Sequence, residues 1–211
     1  MNSYNREQFE TLVRVKEHLE AIHFEARKQL LEKIQGYLSF RKKVDNFLNR
    51  HFNNLCTSQC YATARSACCS REGVITFFAD VATNALVSDE RQLGLLLASL
   101  KQDTGGGKCV YLGPAGCLWR LKPIVCEMFL CDPAREQVFL RAPHLARAWE
   151  ELENHRKRYT WPDRPVLFDA LEAHFLKAGI QSPLMYLHNS PGMLRLKSKW
   201  RRQHPNLKGF R

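Results

Sequence analysis

The sequence predicts a mainly α protein in which helical segments flank a small, irregular, cysteine-rich region with at most short strands. Apolar residues recur at helical spacing on both sides of that region, and all eight cysteines lie between Cys56 and Cys131. The strand-like runs are short and fall inside it. We therefore divide the chain into an N-terminal helical segment (1–54), a cysteine-cluster metal-binding domain (55–132), a C-terminal helical segment (133–194) and a basic tail (195–211).

The N-terminal segment reads as two amphipathic helices. Residues 6–35 contain neither proline nor glycine and place apolar side chains such as Phe9, Leu12 and Leu19 at helical spacing. Gly36 is the expected break, after which residues 37–52 resume a helix. A partner-binding coiled coil is the alternative, but the apolar spacing is too irregular for sustained heptads, so we expect core packing.

The cysteine-rich region contains two strand-like runs, at residues 73–78 and 109–112. Between them, Asp89 followed by Gln92 three positions later is typical of a helix N-terminus, and a leucine-rich face follows. Three glycines at 105–107 predict a loop. In the C-terminal segment, Pro143 is expected to open a helix that runs to Tyr159, and Pro165 to open another that stops at Gly179.

Composition predicts a soluble protein of the cytoplasm. Hydrophobic residues make up 45% and charged residues 25% of the chain, which are ordinary globular values. No apolar run approaches the roughly 20 residues of a membrane-spanning helix, so we expect no membrane association. The polar N-terminus lacks the pattern of a signal peptide. In a reducing compartment, clustered cysteines predict metal ligands rather than disulfides.

The cysteines fall into two groups of four along the chain. The first follows the pattern C-x3-C-x7-C-C, and the second has gaps of seven, eight and four residues. All eight are candidate metal ligands: Cys56, Cys60, Cys68, Cys69, Cys109, Cys117, Cys126 and Cys131. Four thiolates suit tetrahedral zinc or an iron–sulfur cluster. No C-x2-C knuckle is present, which argues against a zinc finger, and thiolate ligands alone do not distinguish zinc from iron.

The adjacent pair Cys68-Cys69 complicates a division into two independent sites. Neighbouring side chains diverge by about 100° on a helix and about 180° on a strand. We therefore expect either that the two sulfurs bind different metals or that one of the two cysteines is not a ligand. Interleaving of the two groups and one ion per group both remain open.

Two stretches of the region carry a family resemblance. The first is the C-x3-C group that closes in Cys68-Cys69, followed by Gly73-Val74-Ile75-Thr76 and Asp80. The second is Cys109-Val110-Tyr111-Leu112, then Cys117-Leu118-Trp119, then Lys122-Pro123-Ile124-Val125-Cys126. They resemble the YkgJ-like cysteine-cluster family, a proposed zinc- or iron-chelating domain. The seven-residue gap before Cys68, and Lys122 where the family usually has arginine, depart from its pattern. The resemblance implies metal chelation and names no reaction.

Two residues near the cysteines in sequence are candidates for a supporting role at the metal site. Lys122 could donate to a thiolate sulfur and offset the negative charge of a four-thiolate site, or be a plain exposed lysine. His51, five residues before Cys56, is a candidate ligand, although a surface histidine is the more ordinary interpretation.

Two further hypotheses concern a function beyond metal binding. The surplus of ligands over one tetrahedral site allows a metal- or cluster-dependent enzyme for redox or group transfer, whose catalytic residues the sequence leaves unknown. The tail carries seven Lys or Arg and no acid, out of a net charge of +11, and this predicts an acidic partner or nucleic acid for a zinc protein. The sequence contains no P-loop, G-x-G-x-x-G or H-E-x-x-H motif.

Overall fold

The protein was analysed as a computed structural model that describes residues 1–66, 68–70, 76–102, 107–159 and 166–185, the last range with side chains from residue 170. The prediction of a mainly α fold with only short strands is confirmed. In chain order the elements are α1 (Ser3–Ala21), α2 (Phe24–His51), a π-helix (Asn54–Tyr61), α3 (Phe78–Val87), α4 (Glu90–Lys101), β1 (Leu112–Gly113), β2 (Gly116–Cys117), α5 (Ile124–Glu127), α6 (Asp132–Phe139), α7 (Pro143–Arg156) and α8 (Val166–Lys177).

The break in the N-terminal helices lies at Ile22 and His23, so the prediction of a break at Gly36 is wrong. Both residues are extended, and the His23 ring accepts a hydrogen bond from the Glu25 N–H, which caps α2. Gly36 lies inside α2. One glycine costs a helix only about 1 kcal/mol relative to alanine, and the buried side chains on either side of it, from Leu30 to Val44, outweigh that cost.

The strand predicted at 73–78 is wrong at its end, because residues 76 and 77 are not in a strand, while residues 73–75 lie outside the described residues. The last residue of that run, Phe78, begins α3. This helix occupies the centre of the fold, since α1, α2 and α8 all pack against it. Its N-terminus is stabilised by the Asp80 carboxylate, which accepts the Phe77 N–H at 3.0 Å.

Other predicted element boundaries are confirmed. The Asp89 carboxylate accepts the Gln92 N–H at 2.8 Å, and the Gln92 side chain accepts the Asp89 N–H at 3.1 Å, so the pair caps α4. Pro143 is the first residue of α7, and Gly179, with φ +78°, follows the end of α8. The positions of Pro165, of residues 105 and 106, and of the 195–211 tail lie outside the described residues.

The strand prediction at 109–112 is only partly right. The antiparallel pair consists of β1 and β2, with Leu112 opposite Cys117, so only Leu112 of the predicted run is in a strand. Gly116, at φ +112°, supports the tight turn between them, because glycine tolerates a positive φ at no steric cost. The long helices around this small hairpin share one hydrophobic core that includes Ile34, Phe78 and Leu171. Within the described ranges, none of the helices has both the length and the apolar character needed to cross a membrane.

Candidate functional site

All eight cysteines are described, and each is a free thiol. Cys56 and Cys68 are exposed, and the other six are half-buried. They are carried by five pieces of structure: the π-helix, the turn after it, the β1–β2 hairpin with the residues before it, α5, and the N-terminus of α6. The site therefore collects its side chains from short elements, while the long helices surround it.

The π-helix carries the C-x3-C pair. Cys56 and Cys60 are four residues apart and so lie about one turn apart on it, and short π-helical segments occur frequently at functional sites. The chain then reverses through Ala64 and Ser66, which have φ values of +60° and +36°. Positive φ is uncommon in residues other than glycine and stores strain. The strained turn folds back on the end of the π-helix, where the Arg65 N–H bonds the Cys60 carbonyl at 3.0 Å, and it leads to Cys68 and Cys69.

Backbone hydrogen bonds join the two cysteine segments directly. The Cys109 N–H donates to the Cys69 carbonyl at 2.9 Å, and Ser70 and Lys108 form an antiparallel bridge. The Lys108 ammonium donates to the carbonyls of Arg65 and Ser66 in the strained turn. The two segments, which α3 and α4 separate in sequence, thus run side by side at this point.

The hairpin is attached to the π-helix as well. The hydroxyl of Tyr61, which follows Cys60 on the π-helix, donates to the Gly113 carbonyl of β1 at 2.8 Å. Within the hairpin, the Leu118 N–H bonds the Tyr111 carbonyl at 2.9 Å, which fixes the backbone next to Cys117. Cys117 is therefore held by local pairing and by one side-chain contact from the first segment.

The loop that carries Cys126 is held by buried polar side chains of α2 and α3. Asn84 accepts the Leu121 N–H at 2.9 Å and Asp80 accepts the Ile124 N–H at 3.1 Å. These two side chains satisfy backbone donors that would otherwise be buried without a partner. Burial raises the pKa of Asp80 to about 6, against the opposing effects of its N–H donors and of Arg41.

Arg41 is the cation at the base of this loop. Its guanidinium is 3% exposed and bonds the Lys122 carbonyl at 2.5 Å, the Tyr37 hydroxyl at 2.6 Å and the Glu127 carboxylate at 3.2 Å. A buried ion pair of this kind requires hydrogen bonds on both partners to offset the cost of removing them from water. Arg41 was missed from the sequence, where a lone arginine on the apolar face of α2 was the available signal. Asp80 forms part of the family resemblance, but its role as an acceptor for buried N–H groups was missed.

Burial and neighbouring charge set the thiol pKa values. Burial, with smaller contributions from nearby cysteines, raises the pKa of Cys117 to about 11 and that of Cys126 to about 12. The hydrogen bond that Cys68 donates to Cys69 raises the pKa of Cys68 and lowers that of Cys69. Neutral thiols are therefore expected at Cys117 and Cys126 without a cation, because burial and like charges disfavour ionisation.

Lys122 is the cation that faces the thiols. Its charge interacts with Cys56, Cys68 and Cys117, and its ammonium is 4.0 Å from the Glu127 carboxylate. This placement fits the interpretation of Lys122 as a cation beside the sulfurs. His51 has different neighbours. Its ring packs on Phe47, and its charge interacts with those of Arg50 and His144.

Tyr4 is a further residue that the sequence analysis missed. It lies on α1, far from the cysteines in sequence, yet it interacts with Cys109 and Cys126, and its hydroxyl is 3.5 Å from that of Thr76. Burial raises its pKa well above the usual value. No local sequence signal identifies such a residue, since the packing of α1 against α3 and α4 places it there.

The cysteine side chains lie in one region of the fold but are not arranged as the ligands of a metal ion. Among the described residues, no three His, Cys, Asp or Glu side chains are arranged so that they could hold a metal ion. The backbone brings the cysteines into one region, and a bound ion would require their side chains to close around it. Comparison of the chain with family models, with curated proteins and with solved structures gives no match.

Proposed function

We propose that this protein binds zinc or iron, the iron as an ion or as an iron–sulfur cluster, through its clustered cysteines. The observation that carries the proposal is the backbone pairing of Cys69 with Cys109, which joins the two cysteine segments. Thiolates are soft ligands that suit both metals, and the reducing cytoplasm is the compartment in which eight free thiols persist.

The charges around the thiols support the same function. Ionising several half-buried thiols in one place is unfavourable, and the raised pKa values of Cys117 and Cys126 express that cost. A divalent cation removes the cost, because it stabilises the thiolates as they lose their protons. Lys122 then offsets part of the negative charge that remains on a four-thiolate site.

The test is anaerobic purification of the full chain, followed by elemental analysis and a visible spectrum. We expect bound zinc or iron, with visible absorption if a cluster is present. The variant Cys109→Ser/Cys117→Ser should lose metal, whereas the control variant His51→Gln should retain it, because His51 does not contact the thiols. A folded, colourless protein without metal would contradict the proposal.

Metal binding should also stabilise the fold. A ligand that binds only the native state at about 1,000 times its dissociation constant adds about 4 kcal/mol to the free energy of unfolding. We therefore expect removal of the metal by a chelator to lower the melting temperature, and stoichiometric return of the metal to restore it. An unchanged melting temperature after verified metal removal would count against a site built into the fold.

A further inference from the structure

Two histidines from distant parts of the chain face one another between α1 and α8. The Nε2 atom of His18, in the last turn of α1, lies 3.0 Å from the Nε2 atom of His174, in the last turn of α8. Both rings are half-buried. This distance is that of a hydrogen bond, in which one ring donates its N–H and the other accepts it. The contact therefore requires at least one neutral imidazole.

Phe175 holds the two rings from the side of the core. Its buried ring has its centroid 4.8 Å from that of His18 and 5.4 Å from that of His174. On α3, the Phe78 ring packs edge-on against it at 5.0 Å. The histidine pair is thus part of the packing of α8 on the core.

The chain that follows α8 is docked on α1 as well. The hydroxyls of Ser182 and Thr11 share a hydrogen bond of 2.6 Å, and the Arg14 guanidinium donates to the Gln181 carbonyl at 2.9 Å. Arg14 and Thr11 lie about one and two turns before the α1 histidine, on the same face of the helix. We call residues 174–185 the clasp, because they join α8 to α1.

The charges that act on the pair are positive. Lys33 from α2 and Lys177 from α8 act on the His174 ring. No carboxylate in the described ranges is among the groups whose charge acts on either imidazole. Positive charge on the pair is therefore not compensated by a neighbouring acid.

The acidic residues of the surrounding helices are directed elsewhere. Glu172 precedes His174 by two positions and so lies about 200° around α8 from it. The one charged residue of α3, Asp80, accepts two backbone N–H groups. On α4, the Glu90 carboxylate is 3.2 Å from the Lys16 ammonium.

Protonation of both rings would remove the hydrogen bond. One added proton still leaves an acceptor nitrogen, whereas a second leaves two donors and two like charges in contact. Burial, with smaller contributions from the other histidine and the two lysines at His174, lowers the pKa of His18 and His174 below 6.5. The native state then binds these protons less tightly than the unfolded state does. The stability that the pair contributes is fully present above about pH 6.5 and is lost as the pH falls.

We propose that the His18–His174 pair is a pH-sensitive latch, which holds the clasp on α1 while one imidazole is neutral and releases it when both are protonated. The inference does not depend on metal binding. Because α8 packs on α3, release uncovers the helix whose Asp80 and Asn84 hold the loop that carries Cys126.

Amide hydrogen exchange of the full, unmodified chain tests the release. An isolated helix of 12 residues is marginal in water, so α8 should open once it is released. Between about pH 7.5 and about pH 5, where histidine titrates, the Phe175 and Ile180 amides should lose protection relative to Leu96 in α4, after correction for intrinsic exchange. Uptake of one proton on release raises the opening constant about tenfold per pH unit. Equal losses at all three amides, or no loss, would overturn the proposal.

Variants assign the effect to the pair. His18→Gln/His174→Gln replaces both imidazoles by side chains that cannot be charged, and it should remove this pH dependence. His155→Gln is the matched control and should keep it, because burial also lowers the pKa of His155 but its ring stacks on Tyr159. Asp80 titrates in every variant, so its contribution cancels in the comparison. Persistence of the pH dependence in the double variant would overturn the latch.

A titration of the wild-type imidazole C–H resonances gives the same decision if the double variant does not fold. We expect two linked steps in which both rings respond, because strongly interacting groups titrate as a pair. An independent step for each ring at the ordinary histidine pKa of 6.5 would overturn the proposal.

Discussion

The Cys126 segment (residues 121–127) and the π-helix that carries Cys56 and Cys60 differ in what holds them in place. Contacts from distant parts of the chain hold the Cys126 segment, because Asp80, Asn84 and Arg41 bond its backbone. The π-helix contains no buried residue and is followed by a turn with two positive-φ residues. The comparison teaches that one fold can support its cysteines unequally, some through the core and others through local backbone.

The largest expected effect comes from the support of the Cys126 segment. Arg41→Met should lower the free energy of unfolding by about 3–5 kcal/mol, because it leaves the Glu127 carboxylate without its buried cation. Urea denaturation of the metal-free, reduced protein measures this. Lys42→Met, one residue along at an exposed position, is the control and should stay within about 0.5 kcal/mol of wild type. A loss below about 1 kcal/mol for Arg41→Met would show that the core does not support this segment.

Asp80→Ala should lower the free energy of unfolding by about 3 kcal/mol. The substitution leaves the N–H groups of Phe77 and Ile124 without their acceptor, and a buried unpaired donor costs about 1–3 kcal/mol. Asp89→Ala is the matched control, since it also removes a helix-capping carboxylate but one exposed to solvent, and it should cost about 1 kcal/mol. Equal losses in the two variants would show that Asp80 acts only as a helix cap.

The raised pKa of the Asp80 carboxyl group predicts that the stability of the fold depends on pH. Its folded pKa of about 6 lies above the ordinary value of 3.8, so the native state binds the proton more tightly than the unfolded state does. The stability that this proton contributes is fully present below about pH 4 and is lost as the pH rises through 6. We expect the stability of wild type relative to Asp80→Asn to fall across that range, by up to about 3 kcal/mol. A difference that does not change between pH 4 and 7 would contradict the raised pKa.

A smaller effect is expected where α1 covers the hairpin. The Tyr111 hydroxyl donates to the Gln8 side chain at 3.3 Å, and both groups are buried. Tyr111→Phe should lower the free energy of unfolding by about 1–2 kcal/mol, because the Gln8 oxygen loses its donor. Tyr61→Phe removes a hydroxyl from a less buried bond between the π-helix and the hairpin and should cost less. The reverse order in thermal unfolding would indicate that the π-helix, rather than α1, holds the hairpin.

The smallest expected effect lies at the π-helix. Cys56→Ser exchanges an exposed sulfur for an oxygen and should change the stability of the metal-free protein by no more than about 0.5 kcal/mol. Cys117→Ser, at a half-buried position on β2, should cost about 1 kcal/mol, because the serine hydroxyl is more polar than the thiol it replaces. Chemical denaturation of the two variants side by side makes the comparison, and a larger loss for Cys56→Ser would reverse it.

Local sequence signals predicted much of the helical frame. The Asp89 and Gln92 pair located the start of α4, and Pro143 located the start of α7, because capping and proline geometry act over only a few residues. The break between α1 and α2 was missed since His23 is an unusual cap. Helix α3 was missed because the aromatic and β-branched run that leads into it has strand propensity, while the helix itself packs against α1, α2 and α8.

The candidate site was predictable in its membership and not in its arrangement. Clustering identified the eight cysteines, and the Cys68-Cys69 adjacency raised the question of which sulfurs belong together. How the cysteine segments meet depends on the Cys69–Cys109 backbone contact and on Arg41 and Asp80, which come from distant parts of the chain. Sequence spacing carries no information about contacts of that range, because they are set by how the helices dock.

The hydrogen bond between Cys69 and Cys109 makes amide exchange a reporter of the contact between the two cysteine segments. It closes a loop that contains α3 and α4, so the Cys109 amide is released only when two segments distant in sequence separate. The Cys56 amide donates to the Phe52 carbonyl at the end of α2 and is released by fraying of the π-helix alone. Hydrogen exchange at Cys109 should therefore be slower than exchange at Cys56.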